Sequence, residues 1–99
     1  MNDIEQARLA RNELSRADQA KELISNPLYQ EAIAAMEAAM FEEFKNTKLD
    51  KPELRHELWQ RMQLMKQFQA KFEHILKNGE KAKETLTLLE RGKQIINRI

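Results

Sequence analysis

The side chains best suited to acid–base or metal chemistry in this sequence are its two histidines, His56 and His74. On a helix, Glu53 would lie close to His56 and Glu57, three and four residues further on, and imidazole and carboxylate groups are common metal ligands. A metal site in a helical bundle, however, repeats a Glu-x-x-His motif on facing helices, and the sequence does not repeat it. Glu73 is adjacent to His74, so these two side chains would point apart on a helix. We therefore expect both histidines to lie at the surface and no metal ion to bind.

Nucleophilic and phosphate chemistry have even less support in the sequence. No combination of serine, histidine and aspartate is typical of a nucleophilic site. A glycine-rich phosphate loop is difficult to build because the chain contains only two glycines. The sequence therefore predicts a protein that is not an enzyme, with no catalytic residues and no cofactor.

The composition favours helices in a soluble protein. A chain of 99 residues forms one domain, here residues 1–99, and a core of this size is thin enough for partner subunits to be favourable.

Cysteine is absent, which excludes disulfides, and the net charge of +1 gives no general attraction to nucleic acid or anionic membrane. No apolar run approaches the roughly 20 residues of a membrane span, and the N-terminus lacks the apolar stretch of a signal peptide. We expect a cytoplasmic location and no membrane partner.

Two helices are predicted in the first half of the chain. The first covers residues 4–25, and its apolar stripe consists mainly of alanines, so we expect it to dock weakly. Asn26 is a good N-cap and Pro27 is well placed at the first helical position. These two residues therefore indicate that the first helix ends before Asn26 and that a second helix begins at Pro27. The second helix, residues 27–46, has a broad apolar face made of Leu28, Tyr29, Ala32, Ile33, Met36, Ala39, Met40 and Phe44.

A third, much longer helix is predicted over residues 52–96. Asp50 is a suitable N-cap, and Pro52 and Glu53 follow it as in a capping box. The short connection before it favours an antiparallel hairpin with the second helix. Its apolar residues recur at alternating spacings of three and four, as in coiled coils: Leu54, Leu58, Met65, Phe68, Phe72, Ile75, Gly79, Ala82, Leu86 and Leu89.

The pair Asn78-Gly79 is the strongest turn signal within this long helix, because glycine costs about 1 kcal/mol relative to alanine in a helix interior. Gly79 nevertheless lies on the apolar stripe, which keeps its phase beyond it. We favour a continuous helix, with a kink at this pair as a variant of that prediction. The alternative is a C-cap at Gly79 and a separate last helix over residues 80–97.

The predicted fold is all-α, either a helical hairpin or a three-helix elongated bundle, with a long coiled-coil-like C-terminal helix. A continuous helix over residues 52–96 would span about 65 Å, whereas the second helix spans about 30 Å. The apolar stripe is then too long for its own chain to cover, even with the first helix added. This length argument predicts a homo-oligomer, a dimer or larger.

The surface expected to meet another chain follows the stripe. Trp59 lies at its edge, where we expect packing between helices, with ligand stacking as the alternative. Methionines on the second and third helices would face one another in a hairpin, and methionine suits both cores and adaptable binding surfaces. The full predicted surface consists of Leu58, Trp59, Met62, Met65, Phe68, Phe72, Ile75, Gly79, Ala82, Leu86 and Leu89.

Nucleic acid is a second candidate partner. Most basic residues have acidic neighbours, as on an ordinary solvated helix face, but the C-terminal stretch after Glu90 contains no acid. An oligomer could concentrate the positive charge of that stretch at one end. The residues expected to contact nucleic acid, if any do, are Arg91, Lys93 and Arg98.

Residues 26–82 contain several short sequence features that occur together in one known group of proteins. The matching features are an initial Asn-Pro-Leu, an Ala/Glu-rich helix, a Thr-containing linker that ends in an acid, an Arg-x-x-Leu-Trp element and a Gly followed by Ala. In this chain they are residues 26–28, the segment from Thr47 to Asp50, the triplet Arg55, Leu58 and Trp59, and the pair Gly79 and Ala82. In these features the chain resembles a group of small helical proteins encoded by tailed bacteriophages. The resemblance implies a phage or prophage accessory protein, acting in the host cytoplasm, and it assigns no activity to particular residues.

Two functions follow from these observations. The first is a non-enzymatic, self-associating helical interaction module that binds a protein partner, either in particle assembly or by binding a host protein. The second is a nucleic-acid-associated packaging protein, similar to a small terminase subunit, in which an oligomer gathers basic ends around DNA.

Overall fold

The computed structural model describes residues 2–48 and 50–98, and it describes side chains as far as residue 93. These residues form three α-helices, α1 (Asp3–Ile24), α2 (Pro27–Asn46) and α3 (Pro52–Arg98). The described residues include no β-strand. The prediction of an all-α fold with a long C-terminal helix is confirmed.

The boundary between α1 and α2 is made by Asn26. Its side-chain Oδ1 accepts hydrogen bonds from the backbone N–H groups of Leu28, at 2.8 Å, and Tyr29, at 3.2 Å. Its backbone is extended, with φ −66° and ψ 123°, as expected for a residue before proline. The cap satisfies two donors that a helix start leaves unpaired, so α2 begins at Pro27.

Helix α3 contains 47 residues and passes through Asn78-Gly79 without a break. No described glycine has a positive φ, so Gly79 does not form a left-handed C-cap. The prediction of a continuous helix is therefore confirmed, and the alternative of a separate last helix after Gly79 is wrong. Ile96 is the last residue of the predicted third helix and falls on the continuation of the apolar spacing beyond Leu89. Its side chain lies outside the described part of the structure, and so does all of Leu49, in the α2–α3 connection.

The chain divides into two compact units that share α3. The α1 unit consists of Met1–Glu22 and Phe72–Ile99, and the α2 unit of Leu23–Lys71. In the α1 unit, α1 runs antiparallel to the second part of α3. In the α2 unit, α2 runs antiparallel to the first part of α3, in agreement with the predicted hairpin.

Small residues form the contact within the α1 unit. A Cβ atom built on Gly79 would lie 2.3 Å from the Cβ of Ala17, so the two backbones approach closely at this point. Ala10, Ala20 and Ala82 are buried along the same contact. The alanine-rich stripe of α1, from which we expected weak docking, is thus the feature that lets α1 pack tightly.

The chain itself covers more of the apolar stripe of α3 than the helix lengths predicted. Gly79 and Ala82, which we assigned to a surface for another chain, pack against α1 of the same chain. Leu58, also assigned to that surface, is completely buried in the α2 unit. Any case for association must therefore depend on the apolar side chains that remain exposed.

Candidate functional site

The α2 unit is held at its closed end by Arg55. Its guanidinium Nη1 donates a hydrogen bond of 3.0 Å to the backbone carbonyl of Thr47, just after α2 ends. The guanidinium carbon also lies 4.5 Å from the centroid of the Phe44 ring, a cation–π contact. Arg55 therefore fixes the start of α3 against the end of α2.

Further along the hairpin, Glu37 and Gln69 connect the two helices. The Gln69 side-chain amide donates a hydrogen bond to Glu37 Oε1. Between the two connections lies Leu58, whose exposed fraction is 0% and which is the only large side chain among the described residues that is fully buried. The other buried apolar side chains in the described part of the chain are all alanines, so most of the packing in each unit consists of partly exposed side chains.

An open groove of about 510 Å³ lies between α2 and α3, and we call it the α2–α3 groove. Its walls are mainly apolar and contain three methionines, with one basic and one acidic residue at the edges. The α2 wall consists of Ala34, Glu37, Ala38, Met40 and Phe41, and the α3 wall of Met62, Met65, Lys66 and Gln69. The methionines face one another as predicted, except for Met36, which is exposed.

Several large apolar side chains on the α2 unit remain exposed to solvent. The exposed fraction is 56% for Phe41, 49% for Trp59, 63% for Leu64 and 48% for Phe68. Isolated exposed apolar residues are ordinary, and Trp59 and Phe68, nine residues apart on α3, lie on opposite sides of that helix. Phe41, by contrast, lines the mainly apolar α2–α3 groove. The α2 unit is therefore the strongest candidate for a binding surface.

The residues of the predicted interaction surface fall into three classes. Leu58, Gly79 and Ala82 are buried within the chain, whereas Trp59 and Phe68 are about half exposed. The remaining members are partly buried: Met62, Met65, Phe72, Ile75, Leu86 and Leu89.

Two exposed residues, Phe41 and Leu64, were missed by the sequence reasoning. Both lie off the main apolar stripe of their helices, which was the pattern used to choose the surface. The signal that could have found Phe41 is a second stripe on α2, in which Ala34, Ala38 and Phe41 follow the same spacing of four and three.

The histidine cluster considered as a metal site has other contacts. The His56 ring stacks on the Trp59 indole, with centroids 5.9 Å apart and an angle of 18° between the planes. Glu57 Oε1 accepts a hydrogen bond of 2.8 Å from Arg61, with which it forms an i, i+4 ion pair. Among the described residues, no group of three or more acidic, histidine or cysteine side chains is arranged to hold a metal ion.

Arg91, one of the basic residues near the C-terminus, shares its surroundings with acidic side chains. Arg91 lines an open groove of about 580 Å³ together with Glu80, Glu84 and Lys83, so acidic groups are interspersed with it. Lys93 is exposed. The side chain of Arg98, the third residue expected to contact nucleic acid, lies outside the described part of the structure.

None of the described helices combines the length and the apolar character needed to cross a membrane. Comparisons with protein-family models, with curated proteins and with solved structures each found no significant match.

Proposed function

We propose that this chain is a non-enzymatic, self-associating helical module that binds other proteins through the exposed apolar surface of its α2 unit. The support comes from the way the chain distributes its apolar side chains. The only fully buried large side chain of the described part is Leu58, while large aromatic and aliphatic side chains of α2 and α3 stay about half exposed.

In an oligomer, the half-exposed apolar side chains would be buried against another copy of the chain. Apolar surface removed from water contributes about 25 cal/mol per Å², so covering several half-exposed side chains adds stability that the thin core does not supply. A chain of 99 residues buries a smaller fraction of its surface on folding than a larger protein does, so its core contributes less stability. The same surface, with three methionines in the α2–α3 groove, is suited to partners of varied shape.

The biological setting that we propose is that of a phage or prophage accessory protein, which acts in particle assembly or binds a host protein. This part of the proposal depends on the resemblance of residues 26–82 to small helical phage proteins. The alternative, a nucleic-acid packaging subunit, is less favoured because Arg91 shares its groove with two glutamates.

Self-association is tested by unfolding the full chain in urea at several protein concentrations. An oligomer is stabilised by mass action, so the midpoint should rise as protein concentration increases over two orders of magnitude. A midpoint independent of protein concentration would contradict the proposal.

A matched pair of variants shows whether the exposed apolar surface is responsible. Phe41→Gln should reduce the concentration dependence, because it removes an exposed apolar ring that lines the α2–α3 groove and that a partner would cover. Leu88→Gln, a control at an exposed apolar residue of the α1 unit with an exposed fraction of 65%, should leave it unchanged. Equal effects of the two substitutions would show that the surface is not the one that associates.

A further inference from the structure

One face of α2 has a residue order that is complementary to itself. The stripe Glu31, Ala34, Ala38, Phe41 and Lys45 alternates in spacing between three and four residues, so its members lie along one side of the helix. All five are exposed. From the N-terminal end the order is acid, small, small, large, base.

This stripe also forms part of the α2–α3 groove. Ala34, Ala38 and Phe41 line the α2 wall, and the Phe41 ring is more than half exposed. A bulky ring and two small residues on the same face give a projection and a depression separated by one or two helical turns. In a two-fold interface the same surface meets itself, so each partner must carry both the projection and the depression.

We infer that the occupant of this face is α2 of a second copy of the chain, packed antiparallel about a two-fold axis near Ala38. The inference rests on the proposed self-association and specifies its surface. In this register Glu31 lies opposite Lys45 of the second copy, because the two residues are equally far from residue 38. Each Phe41 lies over Ala34 of the other copy, at the end of its groove.

Charge complementarity selects this orientation over a parallel one. Antiparallel packing places an acid against a base at both ends of the contact, whereas parallel packing in register would place Glu31 against Glu31 and Lys45 against Lys45. Opposite charges across a helix contact set partner orientation, and like charges disfavour the wrong arrangement.

A charge-reversal experiment on the full chain tests the orientation. Glu31→Lys and Lys45→Glu each create two like-charge contacts, so each variant alone should associate about 3- to 30-fold more weakly than the original chain at low salt. An equimolar mixture of the two variants should recover the original affinity, because the mixed dimer contains only opposite-charge contacts. Sedimentation equilibrium measures all three affinities, and circular dichroism confirms that each variant is folded.

The register is tested by cross-linking, since the chain has no native cysteine. Ala38→Cys should be joined efficiently by a short bifunctional thiol reagent, because the two-fold axis brings both copies of residue 38 together. Ala39→Cys, exposed on a different face of α2, is the control and should be joined poorly.

The outcomes separate this inference from the proposed function. If the original chain associates but the variant mixture binds no more tightly than either variant alone, or if the two cysteine variants cross-link equally, the α2 surface is refuted and self-association stands. If the original chain does not associate at all, both proposals fall.

Discussion

The substitution Gly79→Ala tests the close contact between α1 and α3 directly. The added methyl would lie 2.3 Å from the Cβ of Ala17, whereas ordinary contacts between such atoms begin near 3.4 Å. The Ala17 methyl is bonded directly to the backbone and cannot rotate away. The two helices would therefore have to separate by about 1.1 Å (3.4 minus 2.3), which loosens the packing of the alanines along the contact.

Two opposing terms set the expected change in stability. Overpacking of this kind costs about 1–3 kcal/mol, while replacing glycine by alanine within a helix contributes about 1 kcal/mol. Gly79→Ala should therefore lower the free energy of unfolding by up to about 2 kcal/mol. Gly92→Ala supplies a matched control on the same helix, because a Cβ at Gly92 would meet nothing within 4 Å. It should raise the free energy of unfolding by up to about 1 kcal/mol.

Urea unfolding of both variants at one fixed protein concentration gives the comparison. The double variant Ala17→Gly/Gly79→Ala should be more stable than the sum of its single changes predicts, because removing the Ala17 methyl restores the space. If Gly79→Ala stabilises the protein as much as Gly92→Ala does, α1 does not pack closely on α3 and the reasoning is refuted.

Three further changes have clear expected effects on the free energy of unfolding, each measured by urea titration. Leu58→Ala should cost about 2–5 kcal/mol, because it leaves a cavity at the only fully buried large side chain of the described part, and a loss below 1 kcal/mol would show that this position is poorly packed. Asn26→Ala should cost about 1 kcal/mol by removing the α2 N-cap, with Asn46→Ala, at an exposed position, as a control expected to have less effect. Arg55→Lys keeps the positive charge but loses the planar guanidinium, so a loss of about 0.5–1.5 kcal/mol is expected, and no loss would mean that its contacts add nothing.

The helices themselves could be predicted because their signals are local. Asn26-Pro27 marks the start of α2 through side-chain capping and the fixed φ of proline, and the structure places α2 at Pro27–Asn46. The sustained apolar spacing indicated that α3 continues through Gly79. In both cases the information lies in residues close together in sequence.

The interaction surface was harder to predict, because a stripe shows which side chains seek burial and not what covers them. Gly79 and Ala82 were correctly recognised as a place for close approach of a helix, but that helix is α1 of the same chain. The alanines of α1 suggested weak docking, since each buries little area, although their small size permits the approach of two backbones. Phe41 was missed because it lies beside the main stripe of α2, where exposure depends on the position of α3.

Self-association through exposed apolar surface is the central claim, and the molar mass of the full chain in solution tests it most directly. Light scattering coupled to size exclusion, carried out at tens of micromolar chain, should give at least twice the 11.7 kDa mass of one chain and a lower mass on dilution. A mass of 11.7 kDa at every concentration would contradict the account.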